Sequence, residues 1–307
     1  MTSVSINGAS GWLGTATLRA ISRLEGHKAP WTKTLYGSYS RIHSFVGLGN
    51  YQIQEFSTAI AEKSGTDIFI NLAFKTRDYI KELGETDYTR ENLEIIKNSI
   101  QRARASNPKS IVLISSGVVT KYLQTGGKDY DDAYTRLKFY EEECFKRLSI
   151  ELNSNLIILR MWAASGEDMT DPQKYGIGNL LIQSQLGNSI LIESSRKVYR
   201  RYADASQQLE ICLRAALGGK SMTINSGGFL IEIRELAERI RIKYSPKFIV
   251  MQEWDQDQVP DEYFWSGDEF EAIARKFQVE LYGIDDQIEL TFKSVTRYLQ
   301  RENPTAI

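Results

Sequence analysis

This chain is poor in the residues that build metal and redox centres. Its 307 residues include two cysteines and two histidines. Cys144 and Cys212 lie in helical-looking segments, with no Cys-x-x-Cys spacing and no histidine nearby, and read as buried or half-buried thiols in a reducing compartment. His27 and His43 fall in a loop and a polar stretch and cannot build a multi-histidine site, so no metal is expected. Charge of one sign is also lacking. With 38 Lys and Arg against 39 Asp and Glu the net charge is −1, so no global field draws nucleic acid or an acidic membrane, and any phosphate site must be local. No apolar run reaches the roughly 18 residues of a membrane span. The chain enters a strand after three residues, which leaves no signal peptide to be expected and points to the cytoplasm. Repeats and low-complexity tracts are missing too. What remains is an ordinary globular composition, long enough for one large domain or two modest ones.

Against these absences stands a glycine trio. Residues 4 to 14 read Val4-Ser5-Ile6-Asn7-Gly8-Ala9-Ser10-Gly11-Trp12-Leu13-Gly14. An apolar strand runs into Gly-x-x-Gly-x-x-Gly, and helical character follows from Thr15 to Leu24. A tight turn of this kind lets backbone N–H groups approach a pyrophosphate at the positive end of a helix. The first two glycines are two residues apart, where the common dinucleotide fingerprint separates them by one.

Strand-like and helix-like segments alternate onward. Thr34-Leu35-Tyr36 is a short strand candidate. Asp67 to Ala73, Ser110 to Ser115 and Leu156 to Arg160 are near-continuous apolar runs of the kind buried parallel strands show. Glu91 to Ala105 and Tyr134 to Leu148 read as helices. The pattern predicts βαβ units, hence an α/β fold with a Rossmann-type doubly wound parallel sheet. Beyond Gly166 the character changes. Helices are expected around Asn179 to Gln185, Ala205 to Ala216, Arg234 to Lys243 and Asp285 to Gln300, with a short strand at Ser189 to Ile192. The expected division is a nucleotide-binding domain over residues 1–164, with roughly 198–226 returning to it, and a smaller substrate-binding α/β domain built from the rest of 165–307.

Ser115-Ser116 ends a buried strand, at the edge where ligands bind in a doubly wound sheet. Tyr134 and Lys138 follow, and their i, i+4 spacing puts both on one helix face. Of 16 tyrosines only Tyr134 has a lysine four residues on. Alone, the pair reads as a surface Tyr–Lys contact; after a Ser-ended strand and a phosphate turn it reads as chemistry. A nearby ammonium favours the phenolate and is expected to lower the tyrosine pKa, which makes it a proton shuttle. A drop of about three units corresponds to roughly 4 kcal/mol. The serine hydroxyl would hold the same substrate oxygen.

At this point the chain resembles the extended short-chain dehydrogenase/reductases, of the NAD-dependent epimerase/dehydratase type that acts on nucleotide sugars. The matching pieces are Gly8-x-x-Gly11-x-x-Gly14, Asn71-Leu72-Ala73, Asn92, Ser115-Ser116, Tyr134-x-x-x-Lys138 and Leu159-Arg160. Arg200 to Asp204 resembles the family's segment that returns the chain to the sheet, and Asn225 to Gly228 its turn before the next helix. The resemblance implies a catalytic triad of Ser116, Tyr134 and Lys138, with Lys138 also on the nicotinamide ribose. It implies a pyrophosphate cradle of Gly8, Gly11, Trp12, Leu13 and Gly14, a cofactor wall of Leu72 and Ala73, and nucleotide-sugar contacts from Ser116, Asn179 and Arg200. Asn179 reads equally as a helix N-cap, and Arg200 as a surface or sheet-edge arginine. Dimers through a helix pair that includes the Tyr134 helix are common in that family, so a homodimer is among the implied partners; the face of Leu137, Cys144 and Leu148 serves core or partner equally.

Four departures narrow the reading. Gly37 stands where an NAD-binding unit usually has the acid that bonds the ribose 2′-hydroxyl, and Ser38 and Arg41 could receive a 2′-phosphate, which favours NADP over NAD. Gly117-Val118-Val119 offers no ionisable group after the serine, against a 4,6-dehydratase. Thr120-Lys121 replaces the usual Tyr-Gly, and Phe74 replaces a second alanine after Ala73. The expectation is an NADP(H)-dependent sugar-nucleotide ketoreductase, with an NAD(P)-dependent epimerase on the same scaffold as the alternative. Further from the pattern stand a reductase of a non-sugar carbonyl and a non-catalytic NAD(P) sensor.

Overall fold

The computed structural model describes residues 1–26, 30–55, 65–255 and 257–302; His27 lies outside them. The chain divides into two compact units, one of Met1–Met161 with Leu209–Asn225, the other of Trp162–Gln208 with Ser226–Ile307.

In chain order the first unit holds β1 (Ser3–Asn7), α1 (Trp12–Glu25), β2 (Thr32–Gly37), β3 (Arg41–Phe45), β4 (Gly49–Glu55), β5 (Ile68–Asn71), α2 (Tyr79–Ser106), β6 (Ser110–Ser116), α3 (Gly117–Gln124), α4 (Ala133–Leu152) and β7 (Asn155–Met161). The second begins with β8 (Ala163–Ser165), α5 (Gly176–Gln185), β9 (Ile190–Ile192) and β10 (Val198–Asp204). Helix α6 (Ala205–Leu217) leads back to the first unit, which ends with β11 (Met222–Asn225). The remainder, β12 (Phe229–Glu232), α7 (Ile233–Tyr244), β13 (Val250–Gln252), β14 (Asp261–Tyr263), α8 (Gly267–Lys276) and α9 (Ile284–Glu302), completes the second unit.

The first unit is built on an eight-stranded sheet of order β11-β7-β6-β5-β1-β2-β4-β3, parallel throughout except for β3. Strand order reverses at β1, the position where doubly wound sheets bind ligands at their carboxyl ends. The Rossmann-type α/β fold expected from the alternating pattern is the one observed. Strands β5 and β6 are buried at every position, which is why they read as continuous apolar runs. Phe69, Ile111, Leu113 and Ile158 from the sheet pack with Ala103 of α2 and Phe145 and Leu148 of α4. Burying a side chain such as Phe145 contributes about 2–3 kcal/mol. Leu137 and Leu148 belong to this unit's buried interior, while Cys144 is half-buried.

Four differences separate the structure from the sequence expectation. The antiparallel pair β3–β4 follows β2, in the polar stretch of His43 for which no strand was expected; it buries only Phe45 and Ile53, so its hydrophobic signal is sparse. Helix α2 begins twelve residues before Glu91, because a break at Gly84 (φ 74°, ψ 159°) joins an amphipathic turn to the long helix. Residues Arg200 to Asp204, expected to return the chain to the parallel sheet, lie in β10 at the centre of a second sheet, paired with β8, β12 and β14. The sheet is rejoined instead through α6 and β11, which pairs with β7. Similarly, Asn225 to Gly228 leads into the short strand β12 before α7 begins. A third, two-stranded sheet pairs β9 with β13.

Candidate active site

The carboxyl ends of four neighbouring strands, β2, β1, β5 and β6, carry Gly37, the glycine turn, Leu72–Ala73 and Ser116, while Tyr134 and Lys138 lie on α4 and Asn92 on α2. After β1, Gly8 takes φ 83°, and both its N–H and that of Ala9 donate to the Tyr36 carbonyl, at 3.0 and 2.9 Å. A Cβ on Gly8 would stand 2.8 Å from the Ala73 nitrogen, and one on Gly14 2.0 Å from the Ala9 carbonyl oxygen. Two glycines of the trio are therefore fixed by close backbone approach, whereas Gly11 has ordinary space, its nearest neighbour being 3.8 Å away. Gly11 is the N-cap of α1, with no side chain bonded to the helix end. The N–H groups of Leu13 and Gly14, in the first turn, have no acceptor within the helix and carry its positive pole. This cradle fits an anionic diphosphate.

Gly37 ends β2 beside that turn. A Cβ there would meet the Ile53 side chain at 2.9 Å and the Ser10 hydroxyl at 3.4 Å. An acidic side chain has no room at this point. Ser38 beyond it is exposed. Arg41 opens β3 with its guanidinium 4.4 Å over the Tyr39 ring and donates to the Tyr39 hydroxyl. Leu72 and Ala73 follow β5; the Leu72 N–H donates to the Asn7 carbonyl at 2.9 Å. Buried Asn92 of α2 clamps the segment that continues them. Its side chain accepts from the Lys75 N–H at 2.9 Å and donates to the Lys75 and Tyr88 carbonyls.

Ser116, the last residue of β6, caps α3, its hydroxyl accepting from the Val118 N–H at 3.4 Å. The same hydroxyl lies beside the Tyr134 phenol, near enough to favour its phenolate. Asp132 caps α4 by accepting from the Thr135 N–H at 2.8 Å, and this places Tyr134 in the first turn and Lys138 one turn on. The Phe74 ring lies edge-on to Tyr134, centroids 5.9 Å apart, and the Arg77 guanidinium stands 5.1 Å over the Tyr134 ring. Arg77 is ion-paired with Asp132 at 2.7 Å.

The electrostatics correct one sequence expectation. Tyr134 was expected to have a lowered pKa; burial instead pushes it above the ordinary phenol value, opposed by the nearby Ser116 hydroxyl and the Arg77 charge, with Glu141 and Asp132 adding to the rise. The Lys138 ammonium is turned to other partners. It donates to the Glu141 carboxylate at 2.9 Å and to the Ile114 carbonyl at 3.0 Å, and sits 3.7 Å over the Phe74 ring. Phe74, which replaces a second alanine, therefore packs against both tyrosine and lysine.

In the second unit, Arg200 on the central strand β10 is neither surface nor sheet-edge. Its guanidinium pairs with Asp261 at 2.8 Å, donates to the Tyr199 and Asp261 carbonyls, and stands 5.6 Å over the Tyr263 ring. Tyr263 packs on Trp162 (4.9 Å), which stacks with Trp265 (6.3 Å). Asn179 is not the N-cap of α5, a place Tyr175 takes; it lies inside the first turn, exposed, and accepts from Gln183 at 2.7 Å. Sequence reasoning missed the aromatic set around Arg200, Arg77 beside the phenol, and Glu141. Arg77 and the aromatics carry no spacing signal. Glu141 is hidden in the run Glu141-Glu142-Glu143, which reads as a solvated face.

Among the described residues no group of His, Cys, Asp and Glu could hold a metal, and no helix is long and apolar enough to cross a membrane. Cys212 is buried and its thiol pushed up to about 12 by that burial, an inert core cysteine.

Reversal of strand order at β1, a glycine turn at its end and a smaller second α/β unit define a Rossmann-type two-unit architecture. Solved structures share it over nearly the whole chain. UDP-N-acetylglucosamine 4-epimerase from Bacillus cereus matches with TM-score 0.71 at 15% identity, covering 97% of each chain. The enzyme WbmF from Bordetella bronchiseptica, in complex with NADH, gives 0.75 at 14% over 99% of this chain and 96% of that one. RMD from Pseudomonas aeruginosa, complexed with NADPH, gives 0.68 at 17% over 98% and 100%. At such identities the likeness is one of fold. No family model and no curated protein matches the sequence.

Proposed function

We propose that this chain is an NADP(H)-dependent ketoreductase of nucleotide sugars, with Ser116, Tyr134 and Lys138 as its catalytic residues. The observation that carries the reading is the Ser116 hydroxyl at the carboxyl end of β6 beside the Tyr134 phenol, with Lys138 one helical turn on from Tyr134. A nicotinamide cofactor, when bound, supplies the hydride. The cradle of Gly8, Gly11, Trp12, Leu13 and Gly14 holds its diphosphate, and Leu72 and Ala73 border it. The choice of NADP rests on Gly37, whose site leaves no space for the acid an NAD site uses, and on Ser38 and Arg41 as donors to a 2′-phosphate.

Tyr134 keeps its proton at neutral pH, since burial raises its pKa, and so is a proton donor to a forming alkoxide, the role a reductase requires. Ser116 holds the substrate oxygen. In the second unit, Asn179 and Arg200 are assigned to the nucleotide diphosphate. Three of the five Arg200 donors are engaged with Tyr199 and Asp261, which leaves two for a ligand. The Tyr263, Trp162 and Trp265 rings offer a face for a base.

The second reading is an epimerase on the same scaffold, supported by the 4-epimerases among the solved structures that share the fold. Both readings are tested by incubating the protein with NADPH and a panel of keto-sugar nucleotides. Stoichiometric loss of NADPH absorbance is the reductase result. Interconversion of two sugars without net cofactor change establishes the epimerase and removes the reductase. Unchanged biological activity of Tyr134→Phe with intact cofactor binding would make the chain a sensor instead.

A further inference from the structure

We propose that Glu141 is a positioning residue for Lys138: it holds the ammonium against the Ile114 carbonyl and offsets its charge where Tyr134 would otherwise meet it. The inference rests on Tyr134 being the proton donor, and it adds a residue to that site.

Glu141 is fully buried on the face of α4 turned to the sheet. Taking a carboxylate out of water costs several kcal/mol even after relaxation, so such a group persists only with good partners. Both oxygens accept: Oε1 from the Asn71 amide at 2.9 Å, Oε2 from Lys138 Nζ at 2.9 Å. Burial pushes the Glu141 carboxyl up, and the Lys138 charge and hydrogen bond oppose that rise and favour the carboxylate. The Asn71 carbonyl accepts in turn from Asn7 at 2.7 Å, and Asn7 donates also to Ser99 at 3.0 Å. A buried polar chain thus runs from Ser99 of α2 through Asn7 at the end of β1 and Asn71 at the end of β5 to Glu141 and Lys138 of α4. It fixes the catalytic helix to the two strands whose ends form the glycine turn and the Leu72–Ala73 wall. Two of the three ammonium donors are used, which leaves one for a ligand hydroxyl.

The charges facing this pair are few. Glu142 is its neighbour on α4; around Tyr134 stand Ser116 of β6, Arg77 before α2, Tyr88 on α2 and Asp132 at the start of α4. Glu142 is itself neutralised by Arg160, and Asp132 by Arg77. The Lys138–Glu141 pair is therefore a compensated unit beside the phenol. Removing only the carboxylate exposes Tyr134 to the full ammonium and favours the phenolate.

The test is a spectroscopic titration of phenolate absorbance, with Tyr134 isolated as the difference between each protein and the same protein carrying Tyr134→Phe. In Glu141→Gln, folded by near-ultraviolet circular dichroism, Tyr134 is expected to titrate about one pH unit or more lower than in the parent. An unchanged or higher midpoint overturns the proposal, since a purely structural role would leave it in place. If Glu141→Gln does not fold, the double variant Lys138→Met, Glu141→Gln strands neither charge. It is expected to titrate Tyr134 within about half a pH unit of the parent, and a larger fall there overturns the proposal. The titration needs no substrate. A lowered midpoint without NADPH turnover sinks the reductase reading and leaves the coupling; turnover with an unmoved midpoint does the reverse.

Discussion

Two consecutive glutamates of α4 bury their carboxylates completely, and they do different things. Glu142 accepts three hydrogen bonds: two from Arg160, through Nε at 2.9 Å and Nη2 at 2.7 Å, and one from the Ser115 hydroxyl at 2.6 Å. Arg160 goes on to Thr120 of α3, and Thr120 to Asn225 of β11. That network ties α4 to β6, β7, α3 and β11, and a two-pronged guanidinium fixes its geometry. Glu141 meets a lysine through one contact, and that lysine belongs to the helix face of Tyr134. Successive helix positions differ by about 100°, so one residue's step separates a structural clamp from a group on the Tyr134–Lys138 side of the helix. The lesson is that burial and pairing do not by themselves mark a functional charge. What marks it is a compact point charge, with a donor to spare, next to a titratable group.

The sharpest way to break this contrast is at Tyr134. Tyr134→Phe is expected to lower the NADPH-dependent rate about 10²–10⁴-fold, while the melting temperature and NADPH affinity stay near those of the parent. A fall in melting temperature without the rate loss would place Tyr134 with the clamp. On the other side, Glu142→Ala leaves the Arg160 guanidinium buried and uncompensated. It is expected to cost about 3–5 kcal/mol in urea unfolding. Arg160→Lys keeps the charge but loses the fork, and is expected to cost about 1–2 kcal/mol with the per-molecule turnover of the folded fraction retained. Turnover that falls as steeply as for Tyr134→Phe would show that the clamp reaches the chemistry.

How far these features could be read from the residues follows the same division. Continuous apolar runs made β5, β6 and β7 legible, because a strand buried on both faces has no polar register to hide it. The glycine trio, Ser116, Tyr134 and Lys138 stood out by residue type and spacing, and they fall after β1, at the end of β6 and on the first two turns of α4. Glu141-Glu142-Glu143 did not stand out: three acids in a row are what a solvated helix face looks like, yet only Glu143 keeps substantial exposure, paired with Lys146 at 2.7 Å. The tilt of α4 against the sheet decides which carboxylates go inside, and no local pattern encodes it. For the same reason the direction of the Tyr134 pKa was misread. Spacing shows that a lysine lies on the same face; it does not show which partners claim the ammonium. The hairpin β3–β4 escaped because two buried residues, Phe45 and Ile53, are too few to show a period.

A milder version of the contrast is found between the same two strands. At their carboxyl ends β1 and β5 are joined inside the protein by Asn7 and Asn71; at their amino ends Asp67, just before β5, reaches Ser3 of β1 near solvent. Asp67 accepts from the Ser3 N–H at 2.8 Å and its hydroxyl at 3.0 Å, and pairs with the exposed Lys109 at 2.8 Å. The Lys109 hydrogen bond first, then those of Ser3, hold its carboxyl below the ordinary value of 3.8. A carboxyl whose native pKa is depressed stabilises the fold above its unfolded value, and the contribution disappears as pH falls through the lower native one. Asp67→Asn is therefore expected to be less stable than the parent by under about 1 kcal/mol at neutral pH, because the pair is solvent-screened. The gap should be constant down to about pH 5 and close at more acid values. Urea unfolding of both proteins across that range measures it. A gap that widened on acidification would mean that the protonated carboxyl serves Ser3 better than the carboxylate, and that charge contributes nothing to this edge of the strand pair.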